Sequence, residues 1–239
     1  MPWNLSSLQS SFSLHTLFRK NFKLPSETEV PMMPLSNFER CGIKQGTGTM
    51  SDSRDELKNL IAERAHKDGG HFRTPSGIIT EYFDFFQISL KHQGVRLAGD
   101  LVYEEIKDLN ICALGGSGHP IASVLCRAAF LKEIGVFYIR DSMRKEGNLS
   151  EPKWIESRIK AGDRVALIGD VISTGSQLIR ALEEIIQFGA FIVKIIVIID
   201  SQDGNGVDNI LNFVRLNQME NCPVQILFTR DEILGVSNG

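Results

Sequence analysis

The pattern of apolar positions changes character along the chain. Residues 1–49 hold no sustained period, because Pro25, Pro31, Pro34 and the Gly-Thr-Gly at 46–48 interrupt every apolar stretch. From Ser51 the spacing becomes helical: Ser51 or Ser53 can cap, and Leu57, Leu60, Ile61 and Ala65 share one stripe. A short aromatic segment follows from Ile78, with Tyr82, Phe83, Phe85 and Phe86, and helical spacing returns over 94–109. Beyond that, short apolar runs alternate with helical ones. Strands are predicted at 110–114, 136–139, 165–168, 192–199 and 225–228. Helices are predicted at 120–134, closed by Gly135, and from Leu178 through Leu182, Ile185 and Ile186, closed by Gly189. The stretch 140–160 is polar and reads as a surface loop. Strands alternating with helices predict an α/β fold, a parallel sheet with helices on both faces and ligands at the carboxyl ends of its strands.

Residues 50–239 therefore form the expected folded domain, and residues 1–49 a disordered extension. Residues 1–26 contain no acidic residue and carry Arg19, Lys20 and Lys23 as their formal charges, so composition also permits a transit-like leader. Met50 is an alternative start, and no secretory apolar region is visible. The chain has 239 residues, 42% hydrophobic and 23% charged, enough for one sizeable core. Its net charge of -3 exerts no general pull toward nucleic acid or anionic membrane. No apolar run approaches the roughly 20 residues that span a bilayer, and the one at 191–199 is interrupted by Lys194. Cys41, Cys112, Cys126 and Cys222 show neither Cys-x-x-Cys pairing nor zinc-like spacing. Cys112 and Cys126 sit in apolar surroundings and are expected to be buried thiols, which fits a reducing, cytoplasmic compartment.

Three loops carry the candidate chemistry. The first, Gly115-Gly116-Ser117-Gly118-His119-Pro120, follows a strand, and its glycines permit close backbone approach to a ligand. A plain strand-to-helix turn explains it equally well, and His119 reads as a turn residue. The second, 140–147, holds Arg140, Arg144 and Lys145. The third, Gly169-Asp170-Val171-Ile172-Ser173-Thr174-Gly175-Ser176-Gln177, lies between a buried strand and an amphipathic helix. Such a turn aims backbone N–H groups and a positive helix end at one spot, which suits a phosphate. Neither Gly-x-x-x-x-Gly-Lys-Ser/Thr nor Gly-x-Gly-x-x-Gly is present, which disfavours nucleoside triphosphate and dinucleotide readings.

With these segments the chain resembles the type I phosphoribosyltransferases, and within them the orotate phosphoribosyltransferases, over about residues 57–234. Residues 165–177 are similar to the family's signature for phosphoribosyl pyrophosphate (PRPP): an apolar strand, two acids, two apolar residues, then Thr-Thr-Gly. Phe72-Arg73-Thr74-Pro75-Ser76-Gly77 with Tyr82-Phe83-Asp84 resembles the early Ser-Gly and Tyr-Phe-Asp segment, and Ser117-Gly118-His119-Pro120-Ile121-Ala122 the pyrophosphate loop. Phe137-Tyr138-Ile139-Arg140 leads into the catalytic loop, with Ile155-Glu156 and Gly162-Asp163-Arg164-Val165 as its return.

The resemblance implies a type I phosphoribosyltransferase fold with a small N-terminal hood. It implies transfer of the phosphoribosyl group of PRPP to a base with Mg²⁺, orotate first, in pyrimidine nucleotide synthesis. In that reading Ser173, Thr174, Gly175, Ser176 and Gln177 hold the 5′-phosphate, and Asp170 meets the ribose hydroxyls and the metal. Arg140, Arg144 and Lys145 grip the pyrophosphate, which Gly116, Ser117 and Gly118 approach from the other side. A homodimer is implied as well, with the catalytic loop reaching the neighbouring site.

The sequence departs from the pattern in places that bear on the chemistry. The acid pair is reduced to Gly169-Asp170, and Gln177 stands where Ser or Thr is usual. In the catalytic loop Asp141 replaces a Lys, Glu146 replaces the His, and Arg144 takes the main Lys position. Ser201 stands where an Arg would bind the orotate carboxylate. Two alternatives stay open: transfer to a different base, and a PRPP-binding regulator that keeps the phosphate loop without turnover.

Overall fold

The computed structural model describes residues 50–70, 72–74, 77–79, 81–144, 153–156, 159–219 and 221–236, with backbone alone at 72–74, 77–79, 141–144, 153 and 154. The extension expected at 1–49 lies outside the described residues. Helix α1 (Met50–Leu60) runs into one wide helical turn, Ile61–Ala65, and buries Leu57, Leu60, Ile61 and Ala65 as the stripe predicts. Arg54 fixes its outer side, stacking 4.4 Å over the Phe228 ring, pairing with Glu232 at 2.9 Å and donating to the Leu227 carbonyl. Four short strands form the hood: β1 (His66–Lys67), β2 (Phe72–Thr74), β3 (Gly77–Ile79) and β4 (Tyr82–Phe83). β1 pairs antiparallel with β4, and β2 with β3. Helices α2 (Phe86–Ser89) and α3 (His92–Ile106) then lead into the main sheet.

That sheet contains β5 (Ala113–Ser117), β6 (Gly135–Arg144), β7 (Lys153–Glu156), β8 (Arg164–Ile172), β9 (Phe191–Asp200) and β10 (Val224–Thr229). Their order is β10-β9-β8-β5-β6-β7, parallel throughout except for β7, which runs antiparallel on the edge beside β6. Alternation along the strands sorts the core into two layers. Ala166, Ile168, Ile196 and Ile198 face α1, α3 and α4 (Ala122–Lys132). Val165, Leu167, Ile195 and Val197 face α5 (Ser176–Phe188) and α6 (Gly206–Leu216). A final helix, α7 (Arg230–Leu234), closes over β10. Lys194, inside this apolar strand, bonds the Glu105 carboxylate at 2.7 Å and the Glu105 carbonyl at 3.1 Å.

Several expectations are corrected. The strand expected at 110–114 is β5, which begins at Ala113 and extends through Gly115 and Gly116. A Cβ at Gly115 would sit 2.0 Å from the Phe137 ring, and one at Gly116 would sit 2.8 Å from Ile121 and 3.0 Å from the Ile168 carbonyl. Packing of the strand against its neighbours, rather than room for a ligand, explains these two glycines. The helix expected at 120–134 ends at Lys132, with Glu133 in the left-handed region, and Gly135 opens β6. The polar stretch after residue 140 is partly strand, because β6 continues to Arg144 and β7 returns beside it. Cys112 and Cys126 are exposed. Cys112 precedes β5 in a turn, and Cys126 lies four residues before the exposed Phe130 on the outer side of α4. Cys222 is buried, which pushes its thiol up to about 11.

Gly115→Ala forces a methyl into the Phe137 ring, and overpacking of this kind costs about 1–3 kcal/mol. The denaturation midpoint should fall accordingly; an unchanged midpoint would contradict the packing given for β5.

Candidate functional site

The sheet order reverses between β5 and β8: from β5 the chain passes outward to β6 and β7, then returns to β8 on the other side. Diverging connections at such a switch point leave a crevice at the carboxyl ends of the strands. A cavity of about 380 Å³ occupies that place. Its walls come from Ser117–Pro120 after β5, Gly169–Leu178 at the end of β8 and start of α5, Ser201 and Asp203 after β9, and the hood residues Glu81, Tyr82, Phe83, Phe85 and Phe86.

β8 is longer than its apolar run suggests. It continues to Ile172 because β9 keeps pairing with it to Ile172 opposite Asp200, so Asp170 stands on the strand itself. Ser173–Gly175 make the turn. Gly175 adopts φ +73° at the N-cap of α5, and an added Cβ would also meet the Gly206 carbonyl at 2.9 Å. The Thr174 hydroxyl lies 3.0 Å from the Ser176 hydroxyl and accepts from the Ser176 N–H at 3.4 Å. The first N–H groups of a helix have no acceptor within it, and α5 carries no acid in its first turn, so this end is electropositive. Across the cavity Gly118 sits at φ +85°, where a side chain would be strained and would meet the Gln177 amide at 3.3 Å. Gln177 thus lies beside the β5 loop while starting the helix of the β8 loop.

The turn is braced from behind by a segment that the apolar pattern does not reveal. Gly204 and Gly206 pack directly on its backbone: a Cβ at Gly206 would lie 2.4 Å from the Ser173 carbonyl, and one at Gly204 would lie 3.0 Å from the Ser173 carbonyl carbon. The Asn209 amide donates to the Thr174 carbonyl at 3.0 Å. Ser201 donates its hydroxyl to the Ile172 carbonyl at 2.9 Å, joining the ends of β8 and β9. The signal was the Gly-Asn-Gly at 204–206 directly before an amphipathic helix.

Of the residues expected at the site, Asp170, Ser173, Thr174, Gly175, Ser176, Gln177, Ser117 and Gly118 line the cavity together. Gly116 does not; it is packed within β5. Arg140 is on β6 and pairs with Glu156 of β7. Arg144 ends β6, where the backbone alone is described, and Lys145 lies outside the described residues, as does Glu146. Gly169 leaves ordinary contact distances for a Cβ, 3.5 Å to Leu178, so packing does not demand glycine there. His119 is exposed at the cavity wall, its ring 6.0 Å from that of Tyr138.

Electrostatics at the hood side are acidic. Burial, then Asp84 and Asp170, push the Tyr82 hydroxyl above its usual range. Burial chiefly, and Asp203, push Asp200 up. Burial acts on Asp84 in the same direction but is outweighed by hydrogen bonds from Lys67 at 2.7 Å and Gln87 at 3.1 Å, which hold it below the usual carboxylate range.

Known proteins resemble this chain in sequence and in fold. The chain is 29% identical to the orotate phosphoribosyltransferase of Aquifex aeolicus over 189 residues, 76% of this chain and 97% of that protein. It superposes on a phosphoribosyltransferase from Corynebacterium diphtheriae with a TM-score of 0.61 at 20% identity, covering 76% of this chain and 98% of that one. The chain is similar in sequence to orotate phosphoribosyltransferases and has the type I phosphoribosyltransferase fold. An adenine phosphoribosyltransferase from Trypanosoma brucei, solved with AMP, pyrophosphate and ribose-5-phosphate, shares the fold at TM-score 0.59 and 15% identity, covering 78% of this chain and 81% of that one. No family model matches the chain.

The brace behind the turn generates a test. Asn209→Ala removes the amide's hydrogen bonds to the Thr174 and Gly204 carbonyls, each worth about 1 kcal/mol, while Gly206→Ala drives a methyl into the Ser173 carbonyl. Both should weaken binding of ribose 5-phosphate measured by calorimetry, Gly206→Ala the more. Wild-type affinity in Gly206→Ala would contradict the bracing.

Proposed function

We propose that this chain transfers the phosphoribosyl group of PRPP to a nitrogen base, releasing pyrophosphate. One observation carries the reading: the phosphate-sized turn at 173–177 and the Ser117–Gly118 loop face each other across one cavity at the sheet's switch point. The turn and the start of α5 would hold the 5′-phosphate by backbone N–H groups and the Ser173, Thr174 and Ser176 hydroxyls. Asp170, on the strand between the two loops, would receive the ribose hydroxyls. The Ser117 and Gly118 backbone would meet the pyrophosphate, with Arg144 and Lys145 as the cations expected from the β6–β7 connection. In the reaction a base nitrogen forms the bond to ribose C1 as the C1–oxygen bond breaks. The electron pair leaves with pyrophosphate, and the base gives up a proton where it carried one on that nitrogen. Hydrogen bonds that strengthen as charge moves to the leaving group are the ones that accelerate this step.

Magnesium is implied by the resemblance, and the donor set can be compared with it. Among the described residues no three His, Cys, Asp or Glu side chains stand together as a metal site. Mg²⁺ is commonly held by one or two carboxylates together with substrate phosphates and water. Asp170 supplies one carboxylate at the cavity, which fits an ion carried in by PRPP. Such an ion would neutralise charge on the departing pyrophosphate.

The names of the sequence relatives put orotate first among bases, as in pyrimidine nucleotide synthesis. Ser201 and the acidic hood side favour a different base instead. A homodimer would have an apolar surface available, since Leu90 after α2 and Phe130 on α4 are 72% and 76% exposed. Among the described residues no helix is long and apolar enough to cross a membrane. Cytoplasmic location rests on the reducing compartment that the free thiols Cys112, Cys126 and Cys222 would suit. A PRPP-binding regulator is the rival that the single carboxylate at Gly169-Asp170 favours.

The protein incubated with PRPP, Mg²⁺ and a panel of bases should release pyrophosphate. Asp170→Asn should weaken PRPP binding at least about tenfold, the order of one charge-assisted hydrogen bond. PRPP binding without release from any base would leave the regulator; unchanged binding in Asp170→Asn would remove that carboxylate from the site.

A further inference from the structure

Beyond the phosphate turn, the remaining wall of the cavity is aromatic and acidic. Tyr82 and Phe86 are partly exposed there and offer flat faces for a flat ring. Glu81 and Asp203 also line it. Arg230, the cation nearest to them, is already shared among three carboxylates. It bonds Asp203 at 3.2 Å and lies 3.7 Å from Glu81 and 3.5 Å from Asp231. It does not itself line the cavity. One positive charge therefore faces three negative ones, and no Lys or Arg is among the described lining residues. The Glu81 Oε2 atom is buried and receives no hydrogen bond. Its ion pair with Arg230, at 3.7 Å, is too long for a hydrogen bond, so the Glu81 carboxylate at the cavity wall keeps acceptor capacity for a ligand N–H. At the same place Ser201 has its hydroxyl proton committed to the Ile172 carbonyl.

We infer that the base accepted here is an uncharged nitrogen heterocycle that turns an N–H group, ring or exocyclic amine, toward Glu81 and Asp203, and that a carboxylate-bearing base is selected against. The inference rests on the transferase reading and deepens it. A base carboxylate at this wall would leave water for a site of its own sign, without the charge-assisted partner that makes such burial favourable. A base with an N–H there gains a hydrogen bond to the Glu81 or Asp203 carboxylate. Discrimination of this kind is strong, because the wrong ligand leaves a buried polar group unpaired.

The test measures kcat/KM for pyrophosphate release from PRPP with orotate, uracil, cytosine, adenine and guanine. Orotate and uracil differ by the carboxylate alone. At least one uncharged base should exceed orotate by about tenfold or more, the order of one charge-assisted hydrogen bond. Glu81→Gln should lower kcat/KM for that base through the KM of the base, with the KM of PRPP retained as evidence of an intact fold. Asp203→Asn is the second variant. Combined with Glu81→Gln it leaves Arg230 with one carboxylate partner and should raise kcat/KM for orotate. Orotate as the preferred substrate of the wild type, with release observed, overturns this inference and leaves the transferase reading standing. So does a Glu81→Gln protein that keeps wild-type base KM. No release from any base overturns both.

Discussion

The close backbone packing between two turns is the constraint on which the rest depends. The Ser173–Gly175 turn can take its shape because Gly204 and Gly206 bring the β9–α6 connection against it without a Cβ in the way. Gly175 meets that contact from the other side and supplies the positive φ that starts α5. Asn209 and Ser201 add directed hydrogen bonds to the Thr174 and Ile172 carbonyls. Together these hold a row of N–H groups in a fixed direction. A fixed direction would let the proposed 5′-phosphate bind without reorganisation of the turn. The sheet beneath is what makes such packing possible. β8 and β9 stay paired as far as Ile172 and Asp200, so the two turns leave the sheet side by side.

Charge divides the cavity into two ends. One end has a helix N-terminus, small hydroxyl residues and glycine, and no acid within the first turn of α5. The other has Glu81, Asp203 and, through Asp203, an Arg230 whose charge is already spent. Asp170 stands between them on β8. A ligand with a phosphate at one end and a hydrogen-bond donor at the other matches this division. A ligand with anions at both ends does not.

Much of this was legible in the sequence. The alternation of strand and helix periods predicted the parallel sheet covered on both faces, and the Asp-Val-Ile-Ser-Thr-Gly run at 170–175 located the turn between β8 and α5 that lines the cavity. The misses have physical causes. Glycines 115 and 116 look the same in sequence whether they approach a ligand or a Phe ring, and the Phe137 ring is what they face. Strand ends were placed too early because pairing with a neighbour, which no single segment displays, carries β6 and β8 beyond their apolar runs. The exposure of Cys112 and Cys126 depends on a turn and a helix face that composition does not reveal. The brace from Gly204, Gly206 and Asn209 lay far along the chain from the turn it supports, so only the fold brings them together. The same is true of the pairing of Arg230 with Glu81 across the hood.

The most direct measurement is a crystal structure of the protein with PRPP bound. The account predicts the 5′-phosphate within hydrogen-bond distance of the backbone N–H groups of residues 174–177, the ribose beside Asp170, and the pyrophosphate against Ser117 and Gly118. A 5′-phosphate bound elsewhere, with the 173–177 turn unengaged, would contradict it.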